Sequence, residues 1–167
     1  MTPHPSAAPL KVLTLRLDTE TMVLPAEIVR EILDLVPIAE VPNAPVLVGG
    51  LINVRGRVVP LADLRVAFDM PRPLPDQDTR IVVIEIELDG EPTVVGLLAD
   101  KVYEITEIGS DAIEETPRVG MRWRPEFVRG IAKRDGGFLI IPDVNRILET
   151  QGAGSAPDTA QEERLAS

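Results

Sequence analysis

Cysteine is absent from the 167-residue chain, which excludes a disulfide framework, a thiolate metal site and a cysteine nucleophile. Histidine occurs once, as His4, and Ser110 is the only serine between Ser6 and Ser155. No Ser-His-Asp or Cys-His arrangement can be assembled from that inventory, and zinc sites of the His/Cys type fall with it. Neither a Gly-x-x-x-x-Gly-Lys loop nor a Gly-x-Gly-x-x-Gly turn is present. Carboxylate pairs of the glycosidase kind are the catalytic arrangement left open. Glu85 and Glu87, however, alternate with apolar residues and read as the wet face of a strand, and Trp123 and Tyr103 are the only amphipathic rings for a sugar platform. No enzyme, no metal and no cofactor is expected.

Aromatic residues make up only 3% of the chain against 44% hydrophobic residues in all. The core must therefore be built from Val, Ile and Leu, which favours sheet over helix. No apolar run approaches the roughly 18 residues that cross a bilayer. The start, Met1 to Pro9, lacks the basic and apolar regions of a signal peptide, so a cytoplasmic protein is expected. Basic residues are the minority, 17 against 27 acidic, for a net charge of −10. Such a surface repels nucleic-acid phosphates and acidic membranes; neither nucleic-acid binding nor membrane insertion is expected. The charge is unevenly placed. Glu104, Glu107, Asp111, Glu114 and Glu115 are followed by Arg118, Arg122, Arg124, Arg129, Lys133 and Arg134, with only Glu126 between. Two solvated or mutually paired faces explain this, with a docking patch for an acidic partner as the alternative.

Against these absences stands an internal repeat. At an offset of 80, Gly50 meets Gly130, Leu51 meets Ile131, Gly56 meets Gly136, Val58 and Val59 meet Phe138 and Leu139, Leu61 meets Ile141, and Asp63 meets Asp143. Upstream the offset is 73, and Val29 to Ile32 lies over Val102 to Ile105. The difference of seven predicts an insertion in the second copy near Thr116 to Pro125. In the first copy, Val12 to Leu17 and Thr21 to Leu24 read as paired strands. Ala26 to Ile28 reads as a helical turn, followed by strand residues through Leu35. Pro37, Pro42 and Pro45 mark a loop. Gly50 to Arg65 reads as a β-hairpin turning at Gly56 and closing into a short helix, with Leu61, Leu64 and Phe68 at helical spacing. Asp69 to Asp78 is a proline-rich connector. The second copy opens with Ile81 to Leu88, where Val82, Ile84, Ile86 and Leu88 alternate against Val83, Glu85 and Glu87. Asp89-Gly90 and Asp135-Gly136 are hairpin signals.

Short strands at regular spacing with turns between them predict small barrels or sandwiches, not βαβ units. Units of about 70 residues bury only about 60% of their surface, so two should pack against each other. The expected organisation is a disordered N-terminus (1–10), a first barrel with its connector (11–79), a second barrel with a terminal helix (80–150) and a disordered tail (151–167).

The Asn53-x-Arg55-Gly56 turn and the Val59-Pro60-x-x-Asp63-Leu64 that follows closely resemble the signature of the CheW family, adaptor proteins of bacterial chemotaxis. Val29 to Ile32, Pro42 to Phe68, Gly96 to Val102 and Val128 to Leu148 extend the resemblance from about Leu13 to Leu148. It implies an all-β fold of two tandem SH3-like five-stranded β-barrels packed side by side, with short helical turns and a short C-terminal helix. The implied function is non-catalytic. Such an adaptor couples the cytoplasmic tips of methyl-accepting chemoreceptors to a CheA-type histidine kinase, is recruited to membrane-associated receptor arrays, and contacts the regulatory C-terminal domain of the kinase. Related adaptors also serve type IV pilus motility, surface sensing or development. A CheA kinase or a CheV protein would need further domains for which 167 residues leave no room.

The resemblance places Val29, Glu31, Gly50 and Arg55 at the receptor tip, and Val41, Val46, Leu47 and Arg57 against the kinase. Each has a plainer explanation. Arg55 could pair with Asp63 or a carbonyl, Gly50 could serve the backbone, Val29 could be core, Glu31 could be merely exposed, and any of Val41, Val46 and Leu47 could plug its own barrel. Two departures from the family pattern stand out: Pro142, expected to end the last strand and suit the first turn of a helix, and the basic segment Arg118 to Arg124 around Trp123.

Overall fold

The computed structural model describes residues 9–117, 123–134 and 136–151. The first copy of the repeat contributes β1 (Leu10–Leu17), β2 (Glu20–Pro25), β3 (Val29–Asp34), β4 (Ala39–Glu40), β5 (Gly50–Val54), β6 (Arg57–Ala62) and α1 (Leu64–Ala67). The second contributes β7 (Arg80–Leu88), β8 (Glu91–Ala99), β9 (Lys101–Ile108), β10 (Ile113–Glu114), β11 (Val128–Arg134), β12 (Gly137–Pro142) and α2 (Val144–Gln151). Single 3-10 turns at Ala26–Ile28, Val46–Val48, Ser110–Ala112 and Pro125–Phe127 fill the corners. The strands form two six-stranded sheets, each with five full strands and one of two residues, so the fold is two small SH3-like barrels with short helices.

The division into 11–79 and 80–150 needs correction. One sheet runs β3-β7-β8-β6-β5-β4 and the other β10-β11-β12-β2-β1-β9. Each barrel thus takes its first hairpin from the opposite copy of the repeat: β7–β8 joins the strands of copy one, and β1–β2 joins those of copy two. Short parallel contacts seat the exchanged hairpins, Leu61 beside Gly96 and Ile140 beside Met22. The reason is two-sided apolarity. On β1–β2, Val12 and Val23 fill one barrel, whereas Leu13, Leu15, Leu17, Met22 and Leu24 face the other way, into the core between barrels. On β7, Ile81 and Val83 fill the other barrel while Val82, Ile84 and Ile86 join the shared core. A hairpin apolar on both faces buries both only as the wall between two layers. Val83 lies inside, and of Glu85 and Glu87, both expected on the wet face, Glu87 is exposed and Glu85 half-buried.

Local expectations fare better. Asp18 (φ 56) and Asp89 (φ 54) turn the exchanged hairpins. Strand β6 runs on to Ala62, so Leu61 belongs to the sheet and the helix starts at Leu64, capped by the Asp63 side chain accepting from the Arg65 N–H at 3.1 Å. Pro142 ends β12, one residue outside the cap of α2 and not inside its first turn; Asp143 is the cap, accepting from the Arg146 N–H. Leu10 opens β1 and Gln151 closes α2. The remaining terminal residues, and Arg118 to Arg122 within the basic segment, lie outside the described residues.

Candidate functional site

Strand β3 carries two chemistries on two faces. Val29 lies opposite Ile84 and Ile32 opposite Val82, both partners belonging to the core between barrels. A register shift between Val29 and Glu31 then turns Glu31 and Leu33 toward Val83 and Ile81 inside the first barrel. Val29 is therefore half core, as its plainer explanation held, while Ile32 beside it is 43% exposed at the margin of the seam.

Arg55 and Gly56 form the two-residue turn between β5 and β6, both at positive φ (52 and 84), and the Asn53 side chain accepts the Gly56 N–H at 2.8 Å. This backbone suits the right-handed twist of a hairpin. It swings the Arg55 side chain back to Glu31, whose carboxylate accepts from Nη2 at 3.1 Å and from Nε at 3.3 Å. The hydrogen bond to Glu31, reinforced by the opposite charge, holds the guanidinium above its ordinary range. Asp63, the partner considered for Arg55 from sequence, is taken by Arg65 instead. Arg55 remains largely open to solvent, so the pair presents a fixed guanidinium at the barrel mouth.

The remaining candidates regroup. Val41, Val46, Leu47 and Gly50 line one hollow of about 360 Å³ at the other end of β5, together with Ile38, Leu98 and Arg72. Val46 is 62% exposed and Val41 37%, whereas Leu47, at 2%, belongs to the core between barrels. Leu47 alone of the three is buried, and in the shared core, not as a plug of its own barrel. A Cβ on Gly50 would stand 2.6 Å from Ile38 Cγ2, so this glycine serves a close approach of chain segments. Arg57 is exposed on β6 beside the Arg55 turn, roughly 15 Å from the Val41–Val46 hollow at about 3.3 Å per strand residue. Arg57 thus sits with Arg55, and Gly50 with the valines. Ile38, next to Pro37 in a polar loop, was legible as an unburied aliphatic and was missed; Arg72 and Leu98 reach the hollow only through folding.

Sequence also missed the structural hub. Arg65 is 4% exposed and donates to both oxygens of Asp63 (2.9 and 2.8 Å) and to Asp100 Oδ1 at 2.8 Å. Asp100 Oδ2 in turn accepts the Asp18 N–H at 2.6 Å. Asp100 is where the chain passes from β8 in one barrel to β9 in the other, so Arg65 ties α1, that crossing and the β1–β2 turn together. Hydrogen bonds to Asp63 outweigh burial and hold the guanidinium charged. Among the described residues no cluster of His, Cys, Asp or Glu is placed to hold a metal, and no helix is long and apolar enough to cross a membrane.

Comparison with known proteins agrees with this architecture. The CheW-like domain family matches residues 11–152. The chain is 29% identical over 123 residues to the chemotaxis protein CheW of Rhizobium meliloti, covering 74% of this chain and 77% of that protein. It is 31% identical over 121 residues to the chemotaxis protein CheW of Bacillus subtilis, covering 72% and 75%. The crystal structure of the scaffolding protein TtCheW from Thermoanaerobacter tengcongensis superposes with a TM-score of 0.77 at 31% identity, over 89% of this chain and 99% of that one.

Proposed function

The chain belongs to the CheW family, and on that premise we propose that it is a non-catalytic adaptor that couples methyl-accepting chemoreceptors to a CheA-type histidine kinase. The proposed receptor surface is the seam margin at Val29 and Ile32 with the Glu31–Arg55 pair beside it; an apolar strip takes a helix face, and a fixed guanidinium sets its register. The proposed kinase surface is the hollow of Val41 and Val46. The single observation that carries the proposal is the separation of Arg55 from the hollow along the β5–β6 hairpin. Arg55 and the valine hollow sit at opposite ends of β5 on the first barrel, so one molecule can hold both partners at once and raise their effective concentration. Any preference for one kinase state then becomes reciprocal coupling to the receptor.

Such an adaptor works in the cytoplasm, at receptor arrays. Reconstitution tests this. Membranes carrying a chemoreceptor should sediment the kinase only when the adaptor is present, and adaptor and kinase should each saturate. Kinase sedimentation independent of the adaptor, or adaptor binding to neither partner, would remove the proposal.

A further inference from the structure

The repeat supplies an internal control for every surface, because what one copy does at a position can be compared with the other. One end of the seam between barrels carries an aromatic pair beside a hollow of about 310 Å³. Trp123 packs edge-on against Phe68, ring centroids 5.6 Å apart at 71°, and shares a lining with Ile140 and Glu20. At the offset of 80, Phe68 corresponds to Leu148 and Ile140 to Pro60. The parallel pairings Ile140–Met22 and Leu61–Gly96 make Met22 correspond to Val95, hence Glu20 to Thr93. These counterparts, Leu148, Pro60, Thr93 and Val95, line a hollow of about 450 Å³ with Val48 and Leu88. Trp123 lies in the stretch where the second copy is seven residues longer, and no aromatic ring lines the hollow in the first. The two ends thus differ in that rings, Trp123 among them, line the smaller hollow and none lines the larger.

Three properties define what fits. The floor is apolar and well covered, with Val48, Val95 and Leu148 all buried. The rim is acidic, Asp89 and Glu91, both exposed. The ring at the other end stands within Arg122-Trp123-Arg124, an aromatic with a basic residue on each side, Arg124 being paired there with a carboxylate, Glu126. We propose that this hollow docks a partner polypeptide segment that presents a tryptophan or a ring of similar size beside a basic residue, the ring on the floor and the cation against the rim. A buried aromatic anchor ringed by weaker polar contacts is the usual energetic pattern of such contacts. The site is distinct from both surfaces proposed for receptor and kinase, and its partner is defined by this chemistry alone.

The test uses a fluorescently labelled peptide of residues 118–127, Arg-Val-Gly-Met-Arg-Trp-Arg-Pro-Glu-Phe, titrated with the full chain and followed by anisotropy. Saturable binding is expected, weakened at least tenfold when the peptide tryptophan is replaced by alanine but only a few-fold by phenylalanine. In the protein, Glu91→Lys should weaken binding several-fold. Thr93→Trp, which fills the hollow from within, should abolish it while leaving the thermal midpoint of the protein near wild type. If Thr93→Trp lowers that midpoint substantially, Thr93→Phe carries the same expectation. Unchanged affinity in the filled variant, indifference to the peptide tryptophan, or no saturation overturns the proposal. So does displacement of the probe by a peptide of residues 152–167, which would make the chain's own end the occupant.

Discussion

Arg55 lies 3.1 Å from Glu31 across an ion pair, although β7, β8 and β6 separate their strands in the sheet order. Contact between opposite parts of one sheet is possible only if the sheet curls on itself, so the pair both closes the first barrel and fixes a guanidinium at its mouth. Arg55→Glu should abolish receptor co-sedimentation and leave kinase binding intact. The exchange Glu31→Arg with Arg55→Glu separates the two roles. It should return the thermal midpoint toward wild type by restoring the pair, while receptor capture stays lost. Full recovery of capture by the exchange would mean that the pair acts only through the barrel.

Arg65 carries a larger energetic weight because it is buried with its partners. Replacing it by methionine strands Asp63 and Asp100 in a low-dielectric seam, at an expected cost of about 3 kcal/mol. Arg65→Lys keeps the charge but loses the fork that meets both oxygens of Asp63, for about 2 kcal/mol. Urea unfolding reads both. A ranking with lysine as costly as methionine would show that fork geometry, not charge, is what the hub requires.

The exchange of hairpins predicts that neither half of the chain is a folding unit. Fragments 1–79 and 80–167, cut where the connector meets β7, should each be unfolded by circular dichroism and regain β structure only when mixed. A half that folds alone would contradict the observed strand order as the stable arrangement in solution.

Gly50 and its repeat counterpart Gly130 make a matched pair for separating architecture from recognition. A Cβ at Gly50 would stand 2.6 Å from a methyl of Ile38 with the nearest backbone atom at 3.7 Å, but at Gly130 it stands 2.9 Å from Ile113 Cγ2 and 3.1 Å from the Glu114 carbonyl oxygen. Gly50→Ala should cost about 1 kcal/mol, and Gly130→Ala about 2 kcal/mol because a backbone atom must shift. If Gly50→Ala keeps its stability but loses partner capture, Gly50 belongs to a binding surface. Unchanged capture assigns it to architecture alone.

Local patterning carries the elements that depend on only a few neighbouring residues. The alternation of Val12 to Leu17, the Asp89-Gly90 turn and the Asp63 cap each follow from a few neighbouring residues, and the repeat follows from identities at fixed offset. The candidate residues were legible only through resemblance to a family. Their grouping was not, because strand faces depend on register shifts such as the one after Val29. Tertiary structure alone decided which hairpin enters which barrel. In a duplicated sequence β1–β2 and β7–β8 offer nearly the same local pattern to either sheet, and their two apolar faces are buried together only where both barrels have formed. The same holds for Glu31 with Arg55 and for Arg65 with Asp100: charges far apart along the chain acquire partners when packing, which acts over the whole molecule, brings them within reach.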